Sequence, residues 1–408
     1  MKILLIHQNF PGQLCHIAND LKTRADVELL AVGRDTAPGL PGVRLLRYRP
    51  HRGPRRETHP YLLSYEDAVL HGQAVLRTLL PLARRGYRPD VILAHPGWGE
   101  TLFLKDLFPD ARLIHYCEYF YHGRGADADF DPEFPLSLDA AARLRARNAL
   151  HLLNLDNADA GICPTRWQYS LHPAAYRDKL HIAHEGIRTE LLGSDPSAEL
   201  TLPNGRRLRA GQPIVSYVAR NLEPYRGFHV FMRALPELLR AEPDCQVVIV
   251  GGDGISYGNA PTDAANWREK LLRENPVDLN RVHFLGKVPY DVYRKVLQVS
   301  AVHVYLTYPF VLSWSLLEAM ASGCRIVASD TAPVRELVRD GVNGRLVGFF
   351  DRDALMEQVR GALRDEMAEM RRQARLSTER FGVSGAQAAY RKSLGVPEWA
   401  MAGSVAVS

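Results

Sequence analysis

Short apolar runs alternate with stretches of helical spacing along almost the whole chain, and this alternation restricts the fold more than any other feature. Residues 2–6 form the first run, closed by Asn9-Phe-Pro-Gly12 and followed by helical spacing over 14–21. Further runs at 27–32, 43–47, 90–94, 111–115 and 160–163 predict strands, the last closing the first sheet, with helices over 70–84 and 138–154. A polar stretch at 192–212, with Gly, Pro and Ser, predicts a linker. A second series then begins, with strands expected at 213–219, 246–250, 281–285, 301–306 and 325–328 and a helix over 228–239. Such alternation gives parallel sheets covered by helices, with sites outside the carboxyl ends of the strands. The expected class is α/β: a Rossmann-like domain over 1–190, a linker over 191–212, a second Rossmann-like domain over 213–380, then a C-terminal helix and disordered tail over 381–408, with 397–408 featureless. No tandem repeat is visible.

Length and composition agree with two ordinary domains: 408 residues, 46% hydrophobic and 24% charged. The net charge of +5 suits anionic small molecules or a membrane surface and is too diffuse for nucleic acid. Its densest patch is the run 44–56, with Arg44, Arg47, Arg49, Arg52, Arg55 and Arg56. A solvated loop is one reading of that patch, and contact with anionic lipid or a phosphorylated acceptor is the other. The five cysteines are scattered and none forms a C-x-x-C pair, which argues for reduced thiols in a cytoplasmic protein. Neither an export signal nor a membrane-spanning run is present, so the expectation is a cytoplasmic chain, at most peripheral at the inner membrane face.

Polar residues at strand ends and helix starts are the candidates for chemistry. In Tyr308-Pro-Phe-Val-Leu-Ser-Trp-Ser-Leu-Leu-Glu318, a loop containing Ser313 and Trp314 enters an apolar helix stopped by Gly323. Glu318 among Leu316, Leu317 and Met320 needs a partner, either a pair of sugar or ribose hydroxyls or the structure of a capped core helix. Arg220 ends the first strand of the second half, and Arg226 precedes the next helix. Together they could hold a diphosphate, or be one surface and one capping arginine. Gly252, within Gly251-Gly-Asp-Gly254, and Gly12 would permit close approach of a nucleotide, phosphate or sugar; tight turns explain them equally well. His7, His95, His115 and His122 fall at or just beyond strands, with His95 and His115, the latter ahead of Glu118, the candidates for a cleft. Four carboxylates at 127–133 hint at a metal loop, but Pro132 stands where a calcium loop needs glycine, so no metal is expected.

The second half resembles the glycosyltransferase family 4 enzymes. Val218-Ala-Arg-Asn-Leu-Glu-Pro-Tyr-Arg-Gly-Phe is similar to that family's G-R-x-x-x-x-K-G element, with Arg226 where lysine is usual. Val248-Ile-Val-Gly-Gly-Asp-Gly, Val282-His-Phe-Leu-Gly-Lys-Val288 and Leu316-Leu-Glu-Ala-Met-Ala-Ser-Gly-Cys-Arg-Ile-Val-Ala328 follow its order and spacing. In the first half the resemblance is looser, at Ile6-His-Gln-Asn-Phe-Pro-Gly12 and from Pro164 to Ile187.

The resemblance implies the GT-B fold, two Rossmann-like domains whose parallel sheets face each other across a cleft. It also implies metal-free, retaining transfer from a nucleotide-diphosphate sugar to a hydroxyl acceptor (a sugar, glycolipid or small molecule), in polysaccharide, glycolipid or related synthesis. The nucleotide sugar is a substrate, and no separate cofactor is implied. Arg220 and Arg226 would neutralise the diphosphate, Glu318 would hold the ribose, and backbone at Lys287 and Val288 the base. Catalytic roles would fall to Arg220, Arg226, His95 and His115, and substrate contacts to Gly12, Glu118, Gly252, Lys287, Val288, Ser313, Trp314 and Glu318. The family's first glutamate, eight residues before the second, is here Phe310, which implies a deoxy-sugar donor or broad tolerance among hexoses. The alternatives are a non-catalytic sugar- or nucleotide-binding subunit and a nucleotide-sugar epimerase of the same fold.

Overall fold

The computed structural model describes residues 1–397 and divides into two units. Unit 1 comprises Met1–Asp129, Phe134–Gly186 and the segment from Val383 on; unit 2 comprises Phe130–Glu133 and Ile187–Gly382.

Unit 1 is built on strands β1 (Lys2–Ile6), β2 (Glu28–Arg34), β3 (Arg44–Tyr48), β4 (Val91–Ala94), β5 (Arg112–Tyr116), β6 (Ala160–Cys163) and β7 (Leu180–Ile182). They form one sheet in the order β3-β2-β1-β4-β5-β6-β7, with every pair parallel. Side chains alternate across a strand, so each apolar run serves two cores. Ile3, Leu5, Val91, Leu93 and Ile162 pack under the helix Cys15–Leu21 and against Tyr390 and Leu394 of the helix Val383–Leu394. Leu4, Ile6, Ile92, Ala94 and Leu113 pack on the other face against Val75 and Leu79 of the helix Leu63–Arg84. The expectation that 160–163 closes this sheet is corrected by β7, whose single buried residue, Leu180, leaves little apolar signal.

Unit 2 contains β8 (Glu199–Thr201), β9 (Arg207–Arg209), β10 (Ile214–Asn221), β11 (Gln246–Gly252), β12 (Val282–Gly286), β13 (Val302–Tyr305), β14 (Arg325–Ser329) and β15 (Arg345–Val347). Its main sheet is parallel, in the order β12-β11-β10-β13-β14-β15. The stretch 191–212, expected as a linker, instead folds into the antiparallel pair β8–β9. Leu200, Leu202 and Leu208 of this hairpin join Ile214, Val248 and Val299 in one core, so the segment is part of unit 2. The C-terminal helix, expected as a separate segment, belongs to unit 1 because Tyr390, Leu394 and Val396 complete that core. The expected disordered tail lies outside the described residues beyond Pro397.

All five cysteines are free, and Cys117, Cys163, Cys245 and Cys324 are buried. Among the described residues no helix is long and apolar enough to cross a membrane. Within the 44–56 patch, Arg52 pairs with Glu66 at 2.7 Å, Arg49 lies 3.6 Å from Asp35, and Arg47 donates to the carbonyls of Asp35 and Ala37. Half of that charge is therefore engaged within the fold.

Candidate functional site

In unit 2 the carboxyl ends of β10, β11 and β12 lie side by side and bring Arg220, Gly252 and Lys287 to neighbouring positions. Arg220 is exposed and makes no hydrogen bond or ion pair among the described residues. A Cβ at Gly252 would lie 2.5 Å from Lys287 Cε and 2.7 Å from Asn221 Oδ1. Glycine thus lets the exposed Lys287 side chain cross the end of β11, while Val288 packs inward on the core. Arg226 is different. It is buried, and its Nη1 donates to Thr307 Oγ1 at 2.8 Å and the Val311 carbonyl at 2.9 Å, so it secures the loop after β13. Glu223, wholly buried, accepts from the backbone N–H groups of Ser256, Tyr257 and Gly258 at 3.1, 3.1 and 2.9 Å. Nothing in its sequence neighbourhood marked it out.

Glu318 lies in the helix Trp314–Ala321, with Ser313 as its cap. Its carboxylate accepts from the hydroxyls of Tyr290 at 3.0 Å and Tyr293 at 2.8 Å. Burial pushes its pKa up despite those two donors. Trp314 is half-buried and packs on the core beneath this helix. Phe310 is buried against Tyr257 and Tyr225, with ring centroids 4.9 and 5.5 Å away.

In unit 1 the ends of β1, β4 and β5 converge through one hydrogen-bonded chain. His7 Nδ1 accepts the Asn9 N–H at 3.0 Å, so its Nε2–H donates to Gln13 Oε1 at 2.7 Å. Gln13 Nε2 donates to Glu118 Oε1 at 2.8 Å. His95 Nδ1 accepts the Gly97 N–H at 3.1 Å, leaving its Nε2–H to face Glu118 Oε2 at 3.3 Å. Burial raises the Glu118 pKa, but the donors His95 and Gln13 outweigh it and hold the group below its ordinary value, as a carboxylate. His7 is pushed down to about 3, chiefly by burial, and is neutral. Gly12, at φ +45, is required because a Cβ there would lie 2.3 Å from the His7 ring.

A cavity of about 70 Å³ adjoins this chain, lined among others by His95, His115, Glu118, Tyr121, Arg147 and His151. His115 is wholly buried in its wall. Both His115 nitrogens and His151 Nε2 are buried without a hydrogen bond of ordinary geometry. Burial holds both histidines down to about 3, so both are neutral. The Arg147 guanidinium lies 4.1 Å from the Tyr121 ring centroid and has no acceptor among the described residues. Neutral imidazole offers one donor and one acceptor, and a hydroxyl answers both. His95, His115 and Glu118 were anticipated here, whereas Gln13, Arg147 and His151 were not. Arg147 and His151 are spaced i,i+4 on the helix Leu138–Asn157, a pairing hidden among the neighbouring Arg143 and Arg145.

His122 Nε2–H donates to the Leu171 carbonyl at 2.7 Å, which gives the ring a structural place. The carboxylates of 127–133 separate: Asp127 accepts the Tyr119 hydroxyl at 2.8 Å, and Asp129 accepts the Gly125 N–H at 3.0 Å. Asp131, Glu133 and His229 are, among the described residues, the one group with metal-ligand spacing. Both Glu133 oxygens are already taken by Arg233, at 2.6 and 2.8 Å.

Comparison with known proteins agrees with this layout. Residues 25–192 match the model of the glycosyl transferase family 4 group, and residues 212–365 match that of the glycosyl transferases group 1. A phosphatidyl-myo-inositol mannosyltransferase of Mycolicibacterium smegmatis is 34% identical over 195 residues, 43% of this chain and 45% of that protein. A D-inositol 3-phosphate glycosyltransferase of Streptomyces coelicolor is 25% identical over 365 residues, 85% of this chain and 75% of that protein. The chain spans about half the length of the mannosyltransferases it matches. Among solved structures, sucrose-phosphate synthase from Thermosynechococcus elongatus superposes with a TM-score of 0.73 at 19% identity, covering 97% of this chain and all 100% of that one. Anabaena HepE, in complex with UDP and glucose, gives 0.69 at 18% identity, with coverage of 97% and 100%. With two α/β units on parallel sheets and both halves matched in order, the chain belongs to glycosyltransferase family 4 and has the GT-B fold.

Proposed function

We propose that the protein transfers a hexosyl unit, with retention, from a nucleoside-diphosphate sugar bound by unit 2 to a hydroxyl acceptor bound by unit 1. The observation that carries this reading is the partnerless Arg220 beside Gly252 and Lys287 at adjacent strand ends. A cation and a close backbone approach suit a diphosphate. As the leaving group departs, its charge grows, and a fixed guanidinium stabilises the transition state more than the ground state. The acceptor is a hydroxylated ring. The neutral His115 and His151 in the unit 1 cavity accept from and donate to its hydroxyls, and the ionised Glu118, which lines the same cavity, is the base for the attacking one. The inositol-directed names of the relatives support a polyol acceptor. The donor sugar meets the ring of Phe310 where the family has a carboxylate, which favours a deoxy-hexose or broad tolerance among hexoses.

No metal takes part in this reading, because Arg220 and Lys287 offset the diphosphate charge. A panel of UDP-, GDP- and dTDP-sugars, screened by thermal shift and then by transfer to polyol acceptors, tests it. The expected result is stabilisation and turnover by at least one donor, insensitive to EDTA. Binding without turnover would favour a non-catalytic sugar-nucleotide subunit, the reading that Phe310 motivates. Donor isomerisation without acceptor would favour an epimerase.

A further inference from the structure

Four consecutive residues, Phe130–Glu133, belong to unit 2 while the chain on both sides of them belongs to unit 1. Each one that carries a functional side chain has found a partner there. The Phe130 ring stacks on Phe350 and meets Tyr308 and Phe349, all with centroids 5.2 Å apart. Asp131 is buried. Its Oδ2 lies 3.0 Å from His229 Nε2 and accepts the Tyr308 hydroxyl, while its Oδ1 accepts the Glu133 N–H at 2.9 Å. Glu133 grips Arg233, one turn beyond His229 on the helix Phe228–Ala241.

Tyr308 joins this strap to the loops that carry the donor-site residues. Its backbone N–H donates to the Tyr225 carbonyl at 3.0 Å, and its ring lies 4.7 Å from the Tyr225 ring. Tyr225 precedes Arg226, and Arg226 in turn binds Thr307 and Val311 on either side of Tyr308.

We propose that Asp131 is a positioning residue for the donor site: together with His229 it fixes the Tyr308 hydroxyl, and Tyr308 clamps the Tyr225–Arg226 turn to the 307–313 loop. The proposal rests on the reading that unit 2 binds a nucleoside diphosphate. Removing the carboxylate leaves a buried hydroxyl without its acceptor, and the clamp loosens while the Phe130 stack keeps the strap in place.

The experiment uses the full chain. Calorimetry with UDP and GDP is run on the wild type, Asp131→Ala, Tyr308→Phe, the double variant, and Glu133→Ala as a control that weakens the strap without touching Tyr308. Asp131→Ala and Tyr308→Phe should each weaken diphosphate binding roughly tenfold, the size expected for one lost hydrogen bond to a charged group. The double variant should be no weaker than either, because both remove one shared contact, and Glu133→Ala should bind as the wild type does. A merely structural role would lower thermal stability and leave these affinities unmoved. If the wild type binds UDP or GDP and Asp131→Ala and Tyr308→Phe bind it equally well, the positioning role is wrong and the donor-site reading survives. If the wild type binds neither, both fall. Stoichiometric zinc or manganese binding, lost in Asp131→Ala, would also overturn the proposal by making the cluster a metal centre. Should Asp131→Ala fail to fold, Tyr308→Phe, which keeps its ring packing, decides alone.

Discussion

At the scale of single residues, the two arginines of the donor element differ in ways that mutation can separate. Arg220 is exposed and unengaged, so Arg220→Ala should weaken nucleoside-diphosphate binding by roughly ten- to a hundredfold, the range for losing a charge-assisted contact. Its melting temperature should not move. Arg226→Ala should weaken binding and also destabilise the fold, because Thr307 Oγ1 and the Val311 carbonyl lose a buried donor. Calorimetry beside thermal melts checks the contrast, and equal melts with equal affinities would place the phosphate elsewhere. Glu318→Gln retains one acceptor for Tyr290 and Tyr293 but loses the charge that strengthens a bond to ribose. It should lower nucleoside affinity several-fold in a folded protein, on the order of 1 kcal/mol. Unchanged nucleoside affinity in the folded variant would leave Glu318 only the task of holding its two tyrosines.

At the scale of elements, the hairpin β8–β9 is the part of unit 2 that was hardest to foresee. Leu208 is wholly buried, and Leu208→Ala should cost about 2–5 kcal/mol in denaturant unfolding of unit 2. A loss below about 0.5 kcal/mol, the size typical of surface substitutions, would show that 191–212 is a linker after all. The hairpin was illegible because its strands are three residues each and present one apolar side chain between polar ones, Glu199-Leu-Thr and Arg207-Leu-Arg. β7 and β15 are equally short, with one fully buried residue apiece. By contrast β1, β4, β10 and β11 are buried on both faces and show as continuous apolar runs. The same physics decided which site residues could be read. Arg220 lies at the end of a strand and His95 and Glu118 follow strands, places where polar groups interrupt an apolar pattern. Gln13 and Asp131 owe their roles to Glu118, 105 residues from Gln13, and to Tyr308, 177 residues from Asp131, and no local pattern reports such partners.

At the scale of the whole molecule, the buried histidines are unevenly shared. In unit 1, burial holds His7, His115 and His151 down to about 3, and His172 and His184 down to about 4. In unit 2 only His303 is held comparably, at about 3, among the described residues. Unfolded histidines take up protons near 6.5, so the stability that these neutral rings contribute is whole above that pH and drains away as the pH falls toward 4 and 3. Glu100, pushed up to about 7 by burial, acts in the opposite sense: its contribution is present below 4.5 and lost as the pH rises through 7. One carboxyl does not offset five imidazoles. Unit 1 should therefore lose its protection first on acidification from pH 7 to 4, which hydrogen exchange mapped onto 1–129 and 187–382 would report. Earlier loss in unit 2 would contradict this.

The return of the chain to unit 1 has a consequence for how the protein is made. The sheet β1–β7 is complete by Gly186, yet the helix that covers Ile3, Leu5 and Ile17 with Tyr390 and Leu394 begins only at Val383. At roughly 5–20 residues per second, the ribosome leaves that apolar face uncovered for on the order of 10–40 s. Through that interval the emerging half is a ready client for a chaperone. A cell short of such holdases should accumulate this protein as aggregate, even though that face is covered once the helix Val383–Leu394 has docked.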